Sequence, residues 1–238
     1  MNNKFKKILL LTGALTVMGP LLISNVNNDN LVEEPVIPMK SAPISDSSFI
    51  QSIYESNGKA EAADNRVEMA VQWAIGIAND QSHGYSQGAE NATANSPYTG
   101  SREGPDYDCS SLVYHAFNHA GFDIIAAWRK NPECYSRYNG DQETGDADTI
   151  WADLQTIGGF TKYSWESVKN DLKRGDILCY PEQHVAIYIG DGKTVEARGV
   201  NNPRGGDWRT GDQGVEIDFY NAQGRNWTEV YRYTIGND

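Results

Sequence analysis

A cysteine, a histidine and a glutamate are the residues of this chain whose types and settings suit covalent chemistry. Cys109 stands in the string Asp108-Cys109-Ser110-Ser111. Behind it Leu112, Val113, Ala116, Phe117 and Ala120 recur at helical spacing as far as Gly121. That pattern places the thiol on the first turn of a buried helix. Unpaired N–H groups and the positive end of the helix dipole act there. Both favour a thiolate, and the same N–H groups can stabilise an oxyanion. A thiol nucleophile needs a base, and the four histidines are His83, His115, His119 and His184. His184 opens an apolar run to Gly190 that reads as a strand. Asp191-Gly192 is a hairpin signal, and residues 193 to 197 read as the returning strand. In such a hairpin Glu196 lies beside His184, where a carboxylate orients an imidazole and stabilises its cation. Nucleophile, base and orienter are the expected trio.

The surrounding elements must position that trio. A helix is expected from Asp64, with Val67, Ala70, Val71, Ala74, Ile75 and Ala78 on one face, packed on the Cys109 helix. Residues 80 to 105 are polar and glycine-rich and read as a long loop, in which Tyr85 and Tyr98 either line a cleft or cover a helix edge. Residues 125 to 148 read as a second loop-rich insert. A short helix over 150 to 157, an extended piece over 160 to 163 and a helical turn from Ser164 follow. Residues 173 to 180 read as a turn and a strand, and Arg174-Gly175-Asp176 as that turn rather than a ligand. A polar insert over 199 to 214 and strands over 215 to 219 and 228 to 235 complete the pass.

The strings Asp108-Cys109-Ser110-Ser111, Arg174-Gly175-Asp176-Ile177 and His184-Val185-Ala186-Ile187-Tyr188-Ile189-Gly190 resemble the NlpC/P60 superfamily of cell-wall peptidases. Ser82-His83-Gly84-Tyr85 and Gly104-Pro105-Asp106-Tyr107 resemble its phage-type peptidoglycan amidohydrolase branch. The resemblance runs from about residue 60 to the C-terminus. It implies an α+β, papain-like fold, with the helix bearing the nucleophilic Cys packed on an antiparallel β-sheet. It implies Cys109 as nucleophile, His184 as base and Glu196 at the third polar position, where the family often has histidine. It implies a peptidoglycan substrate, with Asp108, Ser110, Tyr85 and Tyr107 as substrate contacts. In the family the acid before the cysteine often meets a free stem-peptide amine; helix capping is the ordinary role of an aspartate there. A buried carboxylate needs a partner, and a free ammonium would supply one. On that ground an endopeptidase is favoured over an N-acetylmuramoyl-L-alanine amidase. An acyltransferase or transglutaminase-like enzyme and a non-catalytic wall-binding protein are the readings of other classes. No cofactor and no metal are called for. His115 and His119 stand four apart, a spacing that can bind zinc but more often marks a solvated helix face.

Length suits one domain plus a leader. Lys4, Lys6 and Lys7 precede an apolar run over 8 to 23, interrupted at Gly19-Pro20, as in a secretory signal cleaved near 24 to 27. An uncleaved anchor is the alternative. The expected organisation is a signal peptide over 1–25, a flexible linker over 26–59 and the catalytic domain over 60–238. The expected product is a secreted, wall-associated monomer with no stable membrane association. The formal net charge of −12 becomes about −15 once the three leader lysines are removed. Such a balance argues against nucleic acid and anionic membrane surfaces as partners. The three cysteines leave two possibilities: a Cys134–Cys179 disulfide, or two reduced thiols.

Overall fold

The computed structural model describes residues 59–94, 100–199, 211 and 215–234. The signal peptide, nearly all of the linker, Tyr98, and the insert apart from Gly199 and Gly211 lie outside the described residues. No described helix is long and apolar enough to cross a membrane.

Helix α1 (Lys59–Asn79) packs against α2 (Cys109–His119). Short helices α3 (Ile124–Trp128), α4 (Pro132–Tyr138) and α5 (Ile150–Ile157) follow, then β1 (Phe160–Ser164) and a single helical turn, α6 (Trp165–Val168). Strands β2 (Ile177–Tyr180), β3 (His184–Gly190), β4 (Lys193–Ala197), β5 (Ile217–Asn221) and β6 (Glu229–Tyr233) complete an antiparallel sheet. Its order is β1-β6-β2-β3-β4-β5. The α+β class and the helix-on-sheet arrangement expected from sequence are present. The loop-rich insert expected over 125 to 148 carries two short helices that the sequence did not announce. Its helices α3 and α4 are too short to display a 3.6-residue period, and Asn131 caps α4 through the Glu133 N–H at 3.1 Å.

Alternation along the strands splits the core in two. Ile177, Cys179, Val185, Ile187, Val195, Ala197 and Ile217 face α1 and α2. Leu178, Ala186 and Val230 face the other way, against Trp165, Val168 and Trp227. Between β3 and β4 the chain turns through Asp191 (φ 51°) and Gly192 (φ 70°), the left-handed pair that a type I′ hairpin turn requires. At the turn before β2, Gly175 has φ 89°, and a Cβ there would stand 1.9 Å from Val67 Cγ1 of α1. Only glycine permits that approach. Asp176 of the same turn is buried and paired with Arg232, Nε–Oδ1 and Nη2–Oδ2 both 2.7 Å. The Arg-Gly-Asp string is a structural turn.

Candidate active site

Cys109 is the first residue of α2 and Asp108 is its N-cap. One Asp108 carboxylate oxygen accepts from the Ser111 N–H at 2.7 Å, and the Ser111 hydroxyl accepts from the Asp108 N–H at 2.9 Å. This reciprocal capping box starts the helix at the cysteine. No hydrogen-bond partner stands at the N–H groups of Cys109 and Ser110 among the described residues, as the first turn of a helix leaves them.

Asp108 is held from below by Arg102, a residue that sequence reasoning missed. Arg102 Nε reaches Asp108 Oδ2 at 2.8 Å and Nη2 reaches Oδ1 at 3.1 Å. The same guanidinium donates to Ser110 Oγ at 2.9 Å and to the carbonyls of Thr144 and Gly145, both at 3.1 Å. Burial raises the Asp108 pKa, but Arg102 and the capping donors outweigh it and leave it below the usual carboxylate range. The carboxylate therefore has its partners within the fold. The fold thus pairs Asp108 without a substrate ammonium, and Asp108 and Ser110 both line the cleft beside the thiol.

His184 opens β3, and its Nε2 lies 2.8 Å from Glu196 Oε2 on β4. The glutamate is fully buried. Its Oε2 also accepts from Arg198 Nε at 2.8 Å and Arg225 Nε at 3.0 Å, while Thr194 Oγ1 donates to Oε1 at 2.6 Å. Burial pushes the Glu196 carboxyl up, but the imidazole and guanidinium donors overcome it and hold the pKa at about 2. Burial lowers the His184 pKa; Glu196 opposes this, and Arg225 and Arg198 add to it. Trp227 stacks on the ring, centroids 5.7 Å apart.

The thiol meets this pair through the backbone N–H of Val185, the residue after His184. Among the described residues no hydrogen bond joins Cys109 directly to His184. Such contacts commonly tighten only when substrate is bound. The helix-dipole argument predicted a lowered thiol pKa, and the structure reverses it. Burial, followed by the Asp108 charge, pushes Cys109 up to about 12, against smaller opposing effects of the Val185 N–H and Arg102. Desolvation and the neighbouring Asp108 carboxylate both disfavour a thiolate here.

Beside the thiol lies a cleft of about 300 Å³ whose walls include Asp146, Asp148, Glu182, Gln183 and Arg137. Two other hollows, of about 390 and 480 Å³, are lined around Arg66 and Arg174 and contain no cysteine or histidine. Neither Tyr85 nor Tyr107 lines the cleft beside Cys109. The two pair through a parallel bridge, with the Tyr107 N–H on Gly84 O at 3.0 Å. Tyr107 is buried, edge-on to Trp73 and His115. Asp106 binds the N–H groups of Gly84 and Gly211, at 2.9 and 3.0 Å. The two strings around Tyr85 and Tyr107 thus hold each other.

Cys134 and Cys179 are buried free thiols, not a disulfide. His115 bonds Glu103 at 2.9 Å and His119 lies over Trp73. Among the described residues no group of three or more His, Cys, Asp or Glu side chains is placed to hold a metal ion.

The sequence matches the NlpC/P60 family over residues 95–210. No curated protein sequence matches the chain. Solved structures similar to it include a hypothetical invasion protein of Mycobacterium tuberculosis, at 18% identity and TM-score 0.38, covering 74% of this chain and 66% of that one. The peptidoglycan hydrolase RipB of M. tuberculosis gives 17% identity and TM-score 0.37, covering 79% and 78%. The P60 domain of an antigen from M. avium subspecies paratuberculosis gives 16% identity and TM-score 0.35, covering 71% and 97%.

Proposed function

We propose that the chain, whose residues 95–210 match the NlpC/P60 family, is a secreted peptidoglycan hydrolase that cleaves a stem-peptide bond through the thiol of Cys109. The observation that carries the reading is the His184–Glu196 pair, 2.8 Å apart, next to a cysteine at the start of a helix. Nothing in the packing of a hydrophobic core calls for a buried carboxylate holding a buried imidazole there.

With the thiol pKa raised and the imidazole pKa lowered, both groups rest neutral. His184 then takes the Cys109 proton as sulfur attacks the amide carbon, acting as general base. The Cys109 and Ser110 N–H groups face the developing oxyanion. The imidazolium returns its proton to the departing amine, leaving a thioester. Water, deprotonated by His184, adds to the thioester carbon and releases the carboxylic acid and the thiol. Glu196 holds the ring by Nε2, so Nδ1 is the nitrogen left to exchange protons with the thiol.

An endopeptidase is the favoured form. Asp108 no longer supports it, since Arg102 already occupies that carboxylate. Support comes from the cleft wall, where Asp146, Asp148 and Glu182 outnumber Arg137 and suit a substrate with a free amine. The amidase is the second reading, because a satisfied Asp108 has no requirement for a free amine beside the nucleophile. Digestion of purified sacculi, with mass spectrometry of the released muropeptides, tests both. New N-termini within the stem support the endopeptidase; new N-terminal alanine with glycan stripped of peptide supports the amidase. Amine-capped products in the presence of an added amine acceptor would identify an acyltransferase instead. A thiol alkylator should stop release, and a folded Cys109→Ala variant that still releases muropeptides would end the thiol mechanism.

A further inference from the structure

We propose that Arg198 and Arg225 are positioning residues that keep His184 a neutral base by gripping the carboxylate oxygen that orients it. This rests on the reading of His184 as the base. A buried carboxylate beside a histidine ordinarily favours the imidazolium. Here one oxygen of Glu196 accepts from three groups at once: His184 Nε2, Arg198 Nε and Arg225 Nε, at 2.8, 2.8 and 3.0 Å. Two guanidinium charges against one carboxylate leave the cluster positive before the imidazole gains a proton. Protonation adds another positive charge to a site that is almost wholly buried, where screening is weak. Glu196 is thus free to fix the ring's orientation without drawing a proton onto it.

The other groups around the ring do not reverse this balance. Asp218, the register partner of Glu196 on β5, is only half-buried, and Glu182 at the turn before β3 is exposed, so both carboxylates are better screened than the buried grip. Thr194 of β4 is neutral and bonded to the far carboxylate oxygen. Trp227, ahead of β6, stacks on the ring. Tyr180 is its register partner on β2. From α2 come Cys109, reached through Val185, and Asp108, whose charge Arg102 neutralises.

The two arginines are held differently. Arg198 lies over the Tyr220 ring of β5, 3.5 Å from its centroid, and its side chain is 13% exposed. Arg225 follows the 3₁₀ turn Ala222–Gly224, and its side chain is 34% exposed. Replacing Arg225 leaves no deep hole, so it is the cleaner probe.

The test is a histidine-ring NMR titration of the full chain, with the His184 signal assigned by its loss in His184→Ala, alongside the pH profile of muropeptide release. Arg225→Met should raise the His184 titration midpoint by about half to one pH unit, a value tempered by partial exposure. The acid limb of activity should move up with it. Arg225→Lys should restore most of the wild-type midpoint, since it returns the cation. Glu196→Gln should shift the midpoint the other way, because the anion that favours the imidazolium is gone. An unchanged or lowered midpoint in Arg225→Met would overturn the proposal, even if hydrolysis proceeds normally. A raised midpoint with no muropeptide release from the wild type at any pH would uphold the arginines' role and sink the hydrolase reading instead.

Discussion

Arg102→Met removes one guanidinium and exposes how the nucleophile is held. The side chain is 3% exposed and pairs with both Asp108 oxygens, Ser110 and two backbone carbonyls. Methionine fills the space of the stem but strands a buried carboxylate. Breaking one side of a buried ion pair costs about 3–5 kcal/mol. Asp108 keeps its Ser110 and Ser111 donors, so the lower end, about 3 kcal/mol, is expected. For a chain of this length that lowers the melting temperature by roughly 6–12 °C. Asp108→Asn in the same background removes the stranded charge and should recover at least about 1 kcal/mol relative to additivity. Arg102 also pulls the thiol pKa down, so the folded variant should alkylate more slowly at Cys109 at fixed pH. Urea titration of the four proteins of the cycle at pH 7 measures the energies, and iodoacetamide kinetics reads the thiol. A loss under about 1 kcal/mol for Arg102→Met, or simple additivity in the cycle, would refute the idea that Asp108 depends on this partner.

Cys109→Ala should keep the fold by circular dichroism and abolish muropeptide release, and His184→Ala should cost nearly as much, because nucleophile and base act as a unit. Acid should unfold the domain partly through Glu196. Its pKa falls from an ordinary 4.5 to about 2 on folding, so its contribution is complete above about 4.5 and is lost as pH falls towards 2. A shift of that size corresponds to about 3 kcal/mol, read as urea midpoints between pH 6 and 2.5. In Glu196→Gln that slope should flatten, and an unchanged slope would assign acid unfolding to other carboxylates. Gly175→Ala should destabilise by about 2 kcal/mol or more, since its Cβ would meet Val67 Cγ1 at 1.9 Å with φ at 89°; Val67→Ala should recover part of the loss in thermal melts.

Local relations were legible in the sequence. Asp108, Cys109 and Ser111 belong to one capping box, so the helix start can be read within four residues. His184 and Glu196 lie on the two strands of one tight hairpin, so their meeting follows from the Asp191-Gly192 turn. Relations that cross the fold were not legible. Arg102 sits in a loop with no periodicity, and its partners at Thr144 and Gly145 are brought near by tertiary packing. Arg225 reaches Glu196 from a turn 29 residues away. The same limit explains the error over the thiol. The helix end is visible in sequence, whereas burial and the orientation of Asp108 are not, and these decide the direction. Tyr107 is expected among the substrate contacts from the resemblance of the Gly104-Pro105-Asp106-Tyr107 string. It is buried against Trp73 and His115 instead.

The arginines also bear on how a chain with net charge −12 recognises its substrate. Each carboxylate next to the chemistry is already paired within the protein: Asp108 with Arg102, and Glu196 with Arg198 and Arg225. In the proposed mechanism those charges set the protonation of the thiol and the base, and their hydrogen bonds are already made within the fold. The acids on the cleft wall are paired less fully. Asp146 accepts from Tyr138 and Gln142 and lies 3.8 Å from Arg102, Asp148 shares Arg137 with Glu133, and Glu182 stands exposed at the turn before His184. On the proposed endopeptidase reading, attraction for a free substrate amine would reside on the wall of the cleft, apart from the charges around the thiol and the imidazole. Neutralising Asp146 and Glu182 together should raise KM while leaving the pH midpoint of the reaction in place, whereas changes at Arg225 should do the reverse. Equal movement of both parameters by either set would show that recognition and proton transfer share the same charges.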